Sequence, residues 1–281
     1  MRELLTADDL FSHLLILRGV SNKRFILVEG DDDYGMLDPH LDDEVCETIP
    51  TGGKSVVLEA AEIAERQSLT GIGIVLDLDW AGLLYPKICR PNVFYTDFYD
   101  IDATAFSVRQ AVIGLITNNI KREKLRAAAR GGAAELLDRA IEIAKYVGFL
   151  RFLSESNRWE LNVRDFPVHL AMREDFSVDP RRMVDVALSR SKRARVQAGE
   201  VLREVGSLVS EAEDPYRYCS GHDLLSATAA IIRKVGEQVS SKSVGAALRA
   251  SFSCQDVAKS RLFCDISAWG RSLGSEFLTC A

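Results

Sequence analysis

The chain has 281 residues, 47% of them hydrophobic, and a formal net charge of −6 at pH 7. This is length enough for one large domain or two small ones around a real core. No apolar run approaches the roughly 20 residues that span a bilayer, and Met1-Arg2-Glu3 opens an amphipathic, acid-containing stretch unlike a secretory signal, so a cytoplasmic protein with no membrane partner is expected. Of 35 Lys/Arg and 41 Asp/Glu, residues 1–106 hold 8 and 20, which leaves 27 and 21 for the remainder. Acid in one part and base in the other would let carboxylates hold cations in the first part and a basic surface bind phosphates in the second. Two modules of different surface composition would give the same numbers.

Residues 7–20 read as a helix capped by Thr6 or Asp8, with Leu10, Phe11, Leu14, Leu15 and Leu17 on its buried side. A strand at 24–29 then ends in acid, Glu29-Gly30-Asp31-Asp32-Asp33, before a short helix near 33–38. Asp31 is the expected cap of that helix, while Asp33 either caps it or joins a set of metal ligands. A second strand at 45–49 leads into Pro50-Thr51-Gly52-Gly53-Lys54-Ser55 and a helix to about Gln67. The turn resembles a phosphate-binding P-loop, but Thr48 stands where the first glycine is required, so ATP binding is not expected. From the residues alone this is an ordinary glycine turn with a solvated lysine, Lys54.

The third strand is the most informative stretch, Gly71-Ile72-Gly73-Ile74-Val75-Leu76-Asp77-Leu78-Asp79-Trp80. An apolar run without polar alternation is a strand buried on both faces of a parallel sheet, where a charge at the carboxyl end needs water, a partner or a metal. Side-chain alternation predicts Asp77 and Asp79 on one face, about 6–7 Å apart, at the edge where open α/β sheets bind ligands. One Asp capping the next helix and the other solvated is the plain alternative. A fourth strand at 92–95 again precedes acids, among them Asp97, Asp100 and Asp102. Several carboxylates at one edge repel unless cations neutralise them or some protonate, and ligation by oxygen alone suits Mg²⁺ or Mn²⁺ rather than zinc.

From about Ala105 the pattern turns helical: 106–120, a basic span from Lys121 to Arg126, and 133–149, followed by a hairpin-like region at 150–163. Asp179-Pro180 opens another helix. Arg181, Arg182, Arg190, Lys192, Arg193 and Arg195 then form the best candidate nucleic-acid or partner surface, or a solvated basic face. Helices at 197–213, 224–237, 243–251 and 254–271 complete a helical second domain. His222, beside Asp223 at a helix start, reads as part of a cap or as a catalytic group. Cysteines 46, 89, 219, 254, 264 and 280 form no Cys-x-x-Cys pair, so reduced thiols are expected, with neither a zinc site nor a disulfide framework. The predicted class is α/β, a Rossmannoid parallel sheet in 1–105 with a C-terminal helical domain in 106–281.

The Val-Glu-Gly-x-x-Asp run at 28–33, with a strand ending in Asp-x-Asp about 45 residues later, resembles the Toprim fold of topoisomerases, primases and the nucleases related to the overcoming-lysogenization-defect proteins. With Phe94 to Asp102 and Ser220-Gly221-His222-Asp223-Leu224-Leu225, the chain is similar to a Toprim-like bacterial family often encoded beside or fused to ABC-type ATPases. Some of its members look like the nuclease effectors of the PARIS anti-phage system. The resemblance implies a Mg²⁺-dependent nuclease with Glu29, Asp77, Asp79 and Lys54 as catalytic residues and Glu29, Asp33, Asp77, Asp79, Asp100 and Asp102 as metal ligands. It departs from the family at Asp100 and Asp102, where glutamates are usual, and at Ala103, where asparagine is. It also implies an ABC-type ATPase partner, a transfer RNA or DNA substrate, and a homodimer. A non-catalytic Toprim-like module is the rival. A phosphatase with Asp77 as nucleophile is disfavoured, since its Asp-x-Asp belongs on the first strand.

Overall fold

A computed structural model describes residues 6–212 and 214–280. Helix α1 (Ala7–Val20) leads into β1 (Arg24–Val28), followed by α2 (Asp31–Leu37), β2 (Cys46–Pro50), α3 (Lys54–Arg66), β3 (Ile72–Leu76) and β4 (Val93–Tyr95). The four strands pair in parallel in the order β2-β1-β3-β4. The chain is therefore α/β with an all-parallel sheet, as the apolar runs of its two central strands, β1 and β3, imply. Phe25, Leu27, Ile72, Ile74 and Leu76 form a core with Leu10 and Leu14 of α1 and Val57, Ala60 and Ala64 of α3.

Thr6 is the cap of α1. Its hydroxyl accepts the Asp9 N–H, and the Asp9 carboxylate accepts the Thr6 N–H in return. Leu15 departs from expectation and is 47% exposed. At about 100° per residue it lies off the stripe through Leu10, Leu14 and Leu17. In α2 the cap position is Gly30, not Asp31, which is the first helical residue.

The chain divides into two compact units. The first holds the described residues up to Leu78, Pro86–Asp97 and those from Phe252 onward; the second holds Asp79–Tyr85 and Phe98–Ser251. A division at 105 is thus not observed. The second unit contains α4 (Ile101–Phe106), α5 (Arg109–Asn119), α6 (Arg122–Ala128), α7 (Gly132–Ser156), α8 (Pro180–Ser189), α9 (Ala198–Glu211), α10 (Gly221–Lys234) and α11 (Ser241–Ala250). The expected hairpin at 150–163 is absent, because α7 runs through its first half. Phe149, Leu150 and Leu153 keep the helical period, and only after Ser156 does the chain turn, with the Ser154 hydroxyl accepting the Leu161 N–H at 2.9 Å. The Asp179-Pro180 start is observed, with the Asp179 carboxylate accepting the Arg182 N–H. The predicted helix at 197–213 is α9; residue 213 lies outside the described residues, as does the Met1-Arg2-Glu3 stretch. No helix among the described residues is long and apolar enough to cross a membrane.

The first unit closes with α12 (Cys254–Val257) and α13 (Arg261–Ser272). Cys254 and Cys280 form a disulfide, which corrects the expectation that all the thiols are reduced. The pairing has no spacing signature, since it depends on the segment after α13 folding back. Trp269 of α13 packs on Phe94 with ring centroids 5.6 Å apart. Gly73 makes room for this contact: a Cβ there would lie 2.8 Å from Trp269 Cζ3. Gly73→Ala is expected to lower the unfolding free energy by about 1–3 kcal/mol through overpacking. Gly114→Ala in α5, where nothing lies within 4 Å of an added Cβ, should raise it by up to about 1 kcal/mol. Urea denaturation midpoints check both, and a neutral Gly73→Ala would contradict the packing described.

Candidate functional site

Glu29 follows β1 directly, and its side chain reaches the end of β3, where Oε1 accepts the Asp77 N–H at 2.9 Å. The last paired residues of these two strands are Leu27 and Ile74. Beyond them the ladder offers Asp77 no acceptor, and the carboxylate supplies one. The turn after β2 folds over the same edge. Thr51 N–H donates to the Val28 carbonyl and Gly52 N–H to the Glu29 carbonyl, each at 3.0 Å. Gly52 (φ 88°) and Gly53 (φ 141°) adopt left-handed backbone that disfavours a side chain. Lys54 then starts α3 with Nζ 3.0 Å from the Asp77 carbonyl and 3.9 Å from Glu29 Oε1. Asp33, 6% exposed, accepts the Gly30 N–H at 2.8 Å and so fixes the backbone next to Glu29. Glu29, Asp77 and Lys54 are thus brought together, with Asp33 bracing the turn beside them.

Asp77 and Asp79 do not share a strand face. β3 ends at Leu76, and Asp79 takes a left-handed φ of 43°. The period of two lapses once the ladder ends. Leu78 N–H instead donates to the Thr96 hydroxyl at 2.9 Å. Asp97 is likewise a structural acceptor: its two carboxylate oxygens take the Arg261 and Leu262 N–H groups, at 3.2 and 2.8 Å, at the start of α13.

In the second unit, Asp79 N–H donates to the Tyr99 carbonyl at 2.7 Å, and the Arg217 guanidinium holds the Asp79 and Ala81 carbonyls. Asp100 caps α4, its Oδ1 accepting the Ala103 N–H at 2.7 Å, and both its oxygens face the Gly221 N–H within 2.9 Å. Asp102 pairs with Arg249, and the buried Asp223 pairs with Arg151 at 2.7 Å. This gives the Ser220-Gly221-His222-Asp223 segment a physical role. A Cβ at position 221 would fall 2.2 Å from Asp102 Cβ, so only glycine lets the start of α10 meet the Asp100 carboxylate. Ser220 is the cap of α10, and His222 lies exposed with Nε2 3.2 Å from Asp165. The sequence reading missed the cations Arg151, Arg217 and Arg249, since no local pattern joins them to partners so far away in the chain, carboxylates for Arg151 and Arg249 and backbone carbonyls for Arg217.

Of the basic cluster, Arg190 donates to the Arg164 carbonyl at 2.7 Å and Arg195 pairs with Glu160 at 2.8 Å. Arg181 and Arg182 line an open depression of about 690 Å³ with Arg173 and Asp185. No protein-family model matches the chain, and no curated protein matches it.

Burial pushes the Asp100 carboxyl up from 3.8 to about 7, with the Ala103 and Gly221 N–H donors opposing and the charges of Asp102 and Asp223 adding to the rise. A carboxyl raised on folding binds its proton more tightly in the native state. Its contribution is therefore fully present below about pH 4 and is lost as pH rises to about 7. Asp100→Asn keeps an oxygen acceptor but removes the titration. Unfolding free energies measured from pH 4 to 7 should fall more steeply for the native chain than for Asp100→Asn; parallel profiles would refute this.

Proposed function

We propose that the chain is a Toprim-like, Mg²⁺-dependent nuclease that hydrolyses phosphodiesters. Transfer RNA stands ahead of DNA as substrate, and the activity is that of a toxic anti-phage effector switched on through an ABC-type ATPase partner. The single observation supporting the chemistry is the approach of Glu29 to Asp77 at the carboxyl ends of adjacent parallel strands, with Lys54 beside them. The defence role, the partner and the substrate rest on the sequence resemblance.

The donors fit the ion in kind. Glu29, Asp33 and Asp77 offer hard carboxylate oxygens, the class that Mg²⁺ and Mn²⁺ take. Asp79, one residue beyond Leu78, is carried into the set by the sequence. The resemblance also implies Asp100 and Asp102 as ligands; in the second unit Asp100 accepts the Ala103 and Gly221 N–H groups and Asp102 pairs with Arg249. When bound, Mg²⁺ supplies Lewis acidity to a phosphoryl oxygen and to water. Glu29 can hold a proton taken from an attacking water, and Lys54 offers a cation to the scissile phosphate.

A second reading has its own support. The Lys54 ammonium lies 3.9 Å from Glu29 and partly neutralises it without any metal, which suits a non-catalytic Toprim-like module that binds the ATPase partner or nucleic acid. Purified protein incubated with transfer RNA or plasmid DNA, in Mg²⁺, Mn²⁺ or EDTA, separates the two. The nuclease reading expects cutting with either metal and none in EDTA. Glu29→Gln, which keeps an acceptor for the Asp77 N–H, and Asp77→Asn should each slow cutting by at least about 100-fold with unchanged folding. Cutting that survives EDTA or Glu29→Gln would sink it, and intact substrates throughout would favour the binding module.

A further inference from the structure

Behind α13, the segment 277–280 folds back along residues 40–42. Leu278 bridges Leu41 in antiparallel fashion, Asp42 N–H donates to the Phe277 carbonyl at 2.8 Å, and Thr279 N–H donates to the His40 carbonyl at 3.0 Å. This pairing delivers Cys280 to His40, with Sγ 3.4 Å from Nδ1. Cys254, the first residue of α12, is the third member, and ligand atoms of all three residues lie within 4.8 Å of one another. His40 is 9% exposed and held edge-on by Phe263 and Phe252 at centroid distances of 5.6 and 6.1 Å.

We propose that, in their thiol form, Cys254 and Cys280 join His40 in binding one Zn²⁺, and that the Cys254–Cys280 disulfide is the metal-free form of the same site. Two thiolates and an imidazole are a ligand set of the kind Zn²⁺ takes. Zn–S bonds of about 2.3 Å and Zn–N bonds of about 2.0 Å set tetrahedral sulfur and nitrogen ligands about 3.5 Å apart, which the His40–Cys280 separation already matches. Three protein ligands leave the fourth position to water.

The interconversion balances. Two equivalents of a thiol reductant turn the disulfide into two thiols and become a disulfide themselves. Zn²⁺ then displaces one proton from each thiol and takes the lone pair of the neutral imidazole. In reverse, hydrogen peroxide accepts two electrons from the thiolates and two protons from solvent. It leaves as two waters while the disulfide forms and Zn²⁺ departs. Either form clamps segment 277–280 onto α12 and His40.

The full chain should be assayed as the disulfide form and after anaerobic reduction with dithiothreitol and desalting. Each sample is equilibrated with Zn²⁺ and the retained metal counted with a chromogenic chelator. The reduced chain is expected to retain one equivalent more than the disulfide form, and Co²⁺ in its place should give a thiolate charge-transfer band. Losing an orienting partner costs about 10–100-fold in affinity, so losing a ligand should cost at least about 100-fold. Cys254→Ser, at an exposed position, should lose the extra equivalent, as should Cys280→Ser and His40→Gln. Cys89→Ser and Cys264→Ser, at the exposed free thiols, should keep it. Equal zinc in the two redox forms, or native affinity in Cys254→Ser, would overturn the proposal.

Discussion

A parallel ladder always ends with backbone groups that have no strand partner, and here one carboxylate meets that need. The Glu29 side chain accepts the Asp77 N–H where β3 stops pairing with β1. Because the acceptor is charged, the bond is roughly twice as strong as a neutral one, and it draws a negative group to the edge of an otherwise apolar sheet. The surrounding pieces follow from that charge. The glycine turn after β2 closes over Glu29, and α3 begins with the lysine that faces it. Asp33 secures the first turn of α2 so that the backbone beside Glu29 keeps its course.

The second unit meets a related demand with different means. Asp100, Asp102 and Asp223 are acids in the interior of a helical unit, where a carboxylate without donors would be costly. Two of them are answered by arginines, and Asp100 by the amide groups of Ala103 and Gly221. A bare glycine at the junction lets the two helix starts share one carboxylate. Apart from Ala103, the partners are far apart in sequence, at 121 residues from Asp100 to Gly221 and 147 from Asp102 to Arg249.

That distance explains what the sequence reveals and what it hides. The two central strands, β1 and β3, were legible because strands buried on both faces are apolar runs, and Glu29 and Asp33 stood out as acids just past one of them. The shared face assigned to Asp77 and Asp79 failed because alternation applies only while a strand is paired. The break assigned at 150 failed because the polar stretch Ser154 to Arg158 looks like a turn, whereas Phe149, Leu150 and Leu153 still follow the helical period. Neither the arginine partners nor the meeting of His40, Cys254 and Cys280 leaves any local pattern. Each depends on which segments the finished topology makes neighbours.

The cap of α13 carries a consequence for how the molecule assembles. A helix usually draws its first acceptor from within a few residues, but Arg261 and Leu262 find theirs in Asp97, 164 and 165 positions upstream. The intervening chain must be gathered into a closed loop before that acceptor arrives, and the entropy of closure grows with the logarithm of loop length. The cap of the last long helix is therefore a contact between segments far apart in the chain, which raises the mean sequence separation of contacts, the quantity that slows folding relative to a domain built from neighbouring contacts.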